Sequence, residues 1–300
     1  MKPVADTRPF LIIDSPDFVI RARSRHEGTS DRRPDAATSA FQSDLVCSFV
    51  DVPSKRFHYC AVTVDVPDDG CLPLAATMKA VIDALKPAGI IRDDRCVLAA
   101  RIRKYHLDND ADPVVNVEVL PREKGVASFI RSFPQQHDTR VVTRAVTAAV
   151  PYRDRSGVAG PAKFTTTWAT NSAEYEAVLR QQWQSLQESG AITLSDPGDI
   201  SFTLTGRLIV HLPKRLTEDG DNALLYVIDM LELARRDALL EAAGGQMLDE
   251  LLVEVAFVRD LDSGVYVTAT AVEQFNQYDD SIYYLGEGEP IDPFNPDSPC

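Results

Sequence analysis

The sequence predicts an α+β fold made of two related units, and three observations carry that expectation. One motif occurs twice, over residues 72–104 and 217–260, and self-similarity of this kind must be read before any fold is assigned. Each copy holds a short amphipathic helix around a V-I-D-x-L core, then an acidic pair, then an alternating strand. The element order of each half also reads the same way: strand, helix or loop, strand, helix, strand, strand. That order makes a small mixed sheet with helices on one side.

Taken in order, residues 10–13 and 18–20 read as a strand pair around the turn Ser15-Pro16-Asp17. Residues 26–39 are polar and read as a loop, and residues 40–50 as a short helix. Residues 57–66 (FHYCAVTVDV) alternate with period two, the pattern of a strand. Residues 74–85 place Met78, Val81, Ile82 and Leu85 on one helical face, and Pro87 and Gly89 end that helix. Residues 96–105 and 114–120 are two further strands, with a hairpin expected through LDNDADP. Residues 141–150 fit a strand or a helix.

The order then restarts. Residues 164–168 read as a strand. Residues 172–189 form a helix with Tyr175, Val178, Leu179, Trp183 and Leu186 on its apolar face. Residues 200–212 (ISFTLTGRLIVHL) are a long alternating strand, and a helix runs from about Asn222 towards Ala242. Residues 251–259 and 265–272 are strands joined by the turn Leu261-Asp262-Ser263-Gly264. From Asp83 to Asp94 is 11 residues, whereas from Asp229 to Glu250 is 21. The difference is close to three helical turns, so the second helix can lengthen and keep its face. The expected organisation is a first unit over residues 1–122, a linking segment over 123–162, a second unit over 163–275 and an acidic tail over 276–300.

Composition narrows the function classes. The chain of 300 residues is 44% apolar, enough for one large or two ordinary domains, and its net charge is -14. Residues 1–150 carry 21 Lys and Arg against 20 Asp and Glu, while residues 151–300 carry 10 against 25. A generally acidic surface opposes coating of phosphate polymers, so any contact with nucleic acid must be local. Five cysteines (Cys47, Cys60, Cys71, Cys96 and Cys300) give no C-x-x-C pair and no zinc spacing. Their odd count, with no signal peptide, points to a reducing cytoplasm. No apolar run is long enough to span a membrane. Phosphate-binding glycine loops, G-x-G-x-x-G, nucleophile elbows and H-E-x-x-H are missing, which disfavours NTPases, dehydrogenases, esterases and zinc proteases.

The repeated run resembles a known family. MKAVIDAL, AGIIRDDRCV and VVNVEV, between Met78 and Val119, are similar to the helix, turn and strands of the RusA-type Holliday-junction resolvases. DGDNALLYVIDML matches the helix start of the same pattern, and MLDELLVEV is a weaker match to its second acidic element. Members of that family are single copies acting as homodimers, so the resemblance implies two RusA-like units fused as a covalent pseudo-dimer. It covers residues 55–122 and 164–273. It also implies a Mg²⁺-dependent endonuclease acting on branched DNA.

The copies depart from the family pattern in different ways. The family's two helix-start aspartates fall on Pro73 and Ala75 in the first copy, which keeps the helix lysine as Lys79 and the acidic pair as Asp93 and Asp94. The second copy has Asp219 and Asp221, but Leu225 replaces its lysine, and its acidic pair is Asp249 and Glu250. Phosphodiester hydrolysis needs the phosphorus charge neutralised and a water activated, which Mg²⁺ does when carboxylates hold it with open positions. Asp219, Asp221 and Asp249 are therefore the expected metal ligands, with Glu250 beside them and Lys79 reaching over from the first copy to balance phosphate charge. Arg92, Arg95, Arg101, Arg103 and Lys104 cluster on and beside one strand and are the expected nucleic-acid contacts. The first copy would bind and the second would cut. One site per chain would require either a dimer of fused chains or a nicking activity.

A plainer reading competes. D-G-D-N before a helix is also an ordinary turn and N-cap. Asp83, Asp93, Asp94 and Asp229 fit solvated or turn positions, and His58 and His211 are more often packed or surface histidines than ligands. The loss of one carboxylate pair and the acidic second half fit a second function class. That class is an inactive scaffold that binds a protein partner through its acidic half or mimics DNA phosphates.

Overall fold

The computed structural model describes residues 9–15, 36–50, 52, 55–68, 72–105, 114–121, 141–143, 146–147, 173–194, 206–216, 219–239 and 247–271. The strands expected at 18–20 and 164–168, the loop at 107–113 and the acidic tail lie outside the described residues.

The first half contributes β1 (Pro9–Ser15), α1 (Ala36–Ser48), β2 (Phe49–Val50), β3 (Cys60–Pro67), α2 (Leu74–Leu85), a 3-10 turn (Asp94–Cys96), β4 (Val97–Tyr105), β5 (Val114–Pro121), β6 (Val141–Thr143) and β7 (Val146–Thr147). The second contributes α3 (Ala173–Glu188), β8 (Ile192–Leu194), β9 (Gly206–Pro213), α4 (Gly220–Leu239), α5 (Leu248–Leu251), β10 (Leu252–Leu261) and β11 (Val265–Ala271). The fold is a mixed α+β assembly around one sheet in the order β2-β6-β5-β3-β4-β10-β9-β11-β1-β8, with β7 beside β5.

Register explains how the halves meet. β3 lies between β4 and β5, parallel to β4 and antiparallel to β5. β9 lies between β10 and β11, parallel to β10 and antiparallel to β11. The two parallel pairs are bridged by α2 and α4, because parallel neighbours need a crossover rather than a tight turn. β4 and β10 then pair antiparallel at the centre, with Ala256 opposite Arg101 and Glu254 opposite Arg103. The hairpin expected between residues 96–105 and 114–120 does not form, since β3 separates those strands. Local alternation marked both as strands but carried no information on which neighbour each would take.

Period-two burial sets the layers. Leu208, Val210 and Leu212 of β9 point into the core, as do Val62, Val64 and Val66 of β3. Phe41 and Leu45 of α1, most of α2, Leu179, Trp183 and Leu186 of α3, and Leu224, Val227 and Leu231 of α4 join them in one apolar cluster. Ala61, Ala99, Leu120 and Val258 form a small second cluster. β3 is buried along nearly its whole length, as expected of an inner strand of a helix-covered sheet.

The two helix starts differ in a way that governs the site. α2 begins after Pro73, which has no side chain to cap it. Its first amides are instead bonded by a residue far along the chain, Asp249 of α5, through Ala75 N at 2.8 Å and Ala76 N at 3.4 Å. Such orphan amides need an acceptor when buried. α4 begins at Gly220, directly over the ring of Phe257 in β10, and a Cβ there would collide with the ring. Glycine between the two aspartates is thus required by close packing of the helix start on the sheet.

Candidate active site

Asp219 and Asp221 flank Gly220 at the start of α4, so both belong to the one turn that packs against β10. Asp219 accepts a bond from Asn222 Nδ2 at 3.3 Å. Asp221 is 1% exposed, and its Oδ2 accepts from Lys79 Nζ at 2.9 Å. Lys79 stands on α2, 142 residues away in the chain, and also approaches Asp83 one turn on at 3.5 Å. The second oxygen of Asp221, Oδ1, is buried with no hydrogen-bond partner, and so is Asp94 Oδ1. A buried carboxylate oxygen left unpaired is costly and marks a place where a ligand would be accepted.

The electrostatics tie these groups together. Burial would depress the Lys79 ammonium, but Asp221 and then Asp83 outweigh it and hold its pKa above the ordinary value. Asp94 is pushed up to about 6, first by burial and then by Asp83, Asp221 and Asp219. Asp83 is raised by burial against the pull of Lys79, and Asp219 by burial and then by Asp221. The cluster thus joins carboxylates from both halves around one ammonium, with more negative than positive charge. Carboxylate oxygens with unfilled lone pairs are the donor set a hard divalent cation takes. As the side chains stand, no three His, Cys, Asp or Glu among the described residues converge on a single metal position. Lys79 occupies the space next to Asp221.

Asp249 and Glu250, expected beside Asp219 and Asp221, are engaged elsewhere. Asp249 is buried, gives its oxygens to Ala75 and Ala76, and lies next to Lys104 and Glu250. Burial pushes its pKa up to about 6 in spite of those two bonds. Glu250 accepts from Met247 N at 3.2 Å through Oε2, and its backbone carbonyl accepts from Lys104 Nζ at 2.6 Å. Asp249 of the second half's acidic pair serves the helix start of the first, while Glu250 caps its own turn at Met247. The acidic pair of the first half supplies Asp94 to the helix start of the second. Sequence proximity suggested pairing within each copy; the antiparallel β4–β10 seam exchanges the pairs.

The expected nucleic-acid contacts are mostly engaged within the fold. Lys104 is 3% exposed and bonded to Glu250. Arg103 is paired with Asp65, and Arg101 lies 4.0 Å from Glu254, which also binds Arg207 at 3.1 Å. Burial lowers the Arg101 pKa to about 10, against the pull of Glu254. Arg95 is exposed and paired with Asp93 at 2.8 Å, and Arg92 is exposed. Cross-strand register explains the pairing, since Asp65 lies opposite Arg103. Asp83 and Asp94, expected at solvated or turn positions, are instead partly buried near Lys79 and Asp221, and Glu254 and Arg207 carried no sequence signal. The one local signal was the i,i+4 spacing of Lys79 and Asp83.

His211 Nδ1 lies 3.0 Å from both oxygens of Asp260, and its ring is tilted against Tyr266. That fits the packed-histidine reading. No helix among the described residues is long and apolar enough to cross a membrane. Comparison with known proteins finds no family model, no curated protein and no solved structure that matches this chain.

Proposed function

We propose that this chain is a divergent RusA-like, Mg²⁺-dependent endonuclease for branched DNA, built as a covalent pseudo-dimer with at most one working site. The reading is supported by the identical pairing scheme around β3 and β9 and by the antiparallel seam that relates the halves. The single observation that carries it is the ion pair of Lys79 with Asp221 across that seam, with Asp83 one turn further along α2. Asp219, Asp221 and Asp94 would have to be drawn together to hold the ion, since no three such groups converge as the side chains stand. When bound, Mg²⁺ supplies charge neutralisation and a water of lowered pKa. Lys79 balances the charge of Asp221 and offers an ammonium to a phosphate oxygen. Asp83 keeps Lys79 in place, and Gly220 holds both carboxylates close to the sheet.

The test is cleavage of a labelled four-way DNA junction with Mg²⁺, beside the Asp219→Asn/Asp221→Asn variant. Cleavage by the wild type that is lost in the variant is the expected result. A folded wild type that leaves the junction intact would overturn the proposal.

The internal use of Arg101, Arg103 and Lys104 favours a second reading, an inactive scaffold that recognises a protein through its acidic half. Under that reading Lys79 permanently neutralises Asp221, and the chain takes up no Mg²⁺. Both readings place the protein in the cytoplasm.

A further inference from the structure

We propose that the exposed edge formed by residues 55–59 and 86–95 binds a single strand of nucleic acid, with Lys55, Arg56, Lys86 and Arg92 on its phosphates and Tyr59 against one of its bases. The cations of β4 are engaged inside the fold. This edge supplies others, from two segments that lie about thirty residues apart in the chain. The binding does not depend on the nuclease reading, although it gives that reading a path for the substrate.

Two backbone contacts build the edge. Phe57 N donates to Ile90 O at 2.8 Å, and Phe57 bridges in parallel to Ile91. Ile91 is buried and Phe57 packs against the core, so the residues beside them are left at the surface. Lys55, Arg56, His58 and Tyr59 are exposed on one segment, and Lys86, Arg92 and Arg95 on the other. Lys86 joins the edge because α2 closes in a turn, with Gly89 N donating to Lys86 O and Ile90 N to Leu85 O. Cys60 pairs with Val97, which sets Tyr59 beside the 3-10 turn that carries Arg95.

Among the described residues Lys55, Arg56, Lys86 and Arg92 have no ion-pair partner, while Arg95 is paired with Asp93. Cations without partners are what a phosphate backbone takes up as it releases counterions. Tyr59 is 57% exposed, and the other large apolar side chain left at the surface, Val52, is aliphatic. An exposed aromatic ring among cations holds unstacked bases, because every base has a face to stack. A duplex keeps its bases stacked on one another, and an acidic peptide offers the ring no base. The edge also leads to the candidate site. Bonds from Arg95 hold the Asp93 pKa down to about 2, with the charge of Lys86 adding to them. Burial and Asp221 raise Asp219, and Arg95 pulls against them. A strand laid along this edge therefore runs towards Asp219 at the start of α4.

Fluorescence anisotropy on the full chain tests the proposal, with a labelled oligothymidylate of about 16 nucleotides and no divalent cation. Tyr59→Ala should weaken binding about five-fold or more at an unchanged salt slope, and Tyr59→Phe should bind like the wild type. Lys55→Gln/Arg56→Gln should lower the salt slope by about 1.4, the share of two single-strand phosphates. Lys214→Gln, an exposed cation of the other half, should change neither quantity. These positions lie at the surface, and matching thermal melts show that the variants fold. No binding by the wild type, full affinity in Tyr59→Ala, or an unchanged slope in Lys55→Gln/Arg56→Gln would overturn the proposal. So would tighter binding of the matched duplex or of polyglutamate. With no metal present, the result is independent of whether the chain cleaves a junction.

Discussion

Lys79 Nζ lies 2.9 Å from Asp221 Oδ2 and joins α2 of one half of the sheet to the start of α4 in the other. The carboxylate is 1% exposed and the lysine side chain 25%, so removing one partner leaves a charge away from water. Lys79→Met should cost about 3 kcal/mol, the scale for breaking a buried pair. The double variant Lys79→Met/Asp221→Leu should recover much of that loss. Urea unfolding of the two single variants and the double measures the coupling, and additive losses would show that the pair does not bind the halves together.

Gly220 sits where a Cβ would enter the Phe257 ring. Gly220→Ala should destabilise the chain by about 1–3 kcal/mol through overpacking. The same substitution in a Phe257→Leu background should cost less. Thermal melts of the four proteins check this, and an unchanged melting temperature in Gly220→Ala would contradict the close approach.

Asp249 has a folded-state pKa of about 6, above the ordinary 3.8, because burial penalises its charge. A carboxyl with a raised pKa binds its proton more tightly in the folded state. Its contribution to stability is therefore fully present below the unfolded value and lost as pH rises through the folded one. The stability of the wild type relative to Asp249→Asn should increase by up to roughly 3 kcal/mol as pH falls from about 7.5 to about 4. Paired denaturation curves across that window test it. A difference that is flat with pH, or that grows as pH rises, would place the carboxylate in a less buried or better compensated setting.

Arg103 is held by Asp65 across the β3–β4 pair, whereas Arg92 is exposed. If the chain binds DNA as proposed, Arg92→Gln should flatten the salt dependence of binding, because a phosphate contact releases counterions. Arg103→Gln should leave that slope unchanged and cost stability, about 0.5–1 kcal/mol for a partly buried pair. Binding isotherms at several salt concentrations separate the two. Equal loss of slope in both variants would mean that Arg103 gives up Asp65 for phosphate.

Much of the local structure was legible. The period of Met78, Val81, Ile82 and Leu85 defined α2 to its observed limits, and alternation found β4, β5, β10 and β11 within a residue or two. Residues 141–150, ambiguous by pattern, contain two short strands, β6 and β7, too brief for a period to declare itself. The candidate site was legible only in part. The asymmetry of Asp219 and Asp221 against Pro73 and Ala75 is written in the chain, and so is the retention of Lys79 in the copy that lacks those aspartates. The partners were not. Asp249 seemed to belong with Asp219 and Asp221 because it follows them in the same copy. Arg101, Arg103 and Lys104 looked like a free basic strand because their acceptors, Glu254, Asp65 and Glu250, come from other strands or from the other half.

The sequence by itself determined where the longer helices and strands form, where their apolar faces lie, and which helix start carries carboxylates. These depend on side-chain periodicity and on residues a few positions apart. The tertiary structure decided that β4 and β10 pair antiparallel, and that pairing sends each acidic turn to the opposite helix start. It alone brought Asp94 towards the start of α4, and turned Asp249 into the cap of α2. The physical reason is that hydrogen-bond ladders accept many registers and neighbours of similar apolar pattern. Burial of one sheet face against the helices selects one of them, and the long-range ion pairs follow from that choice.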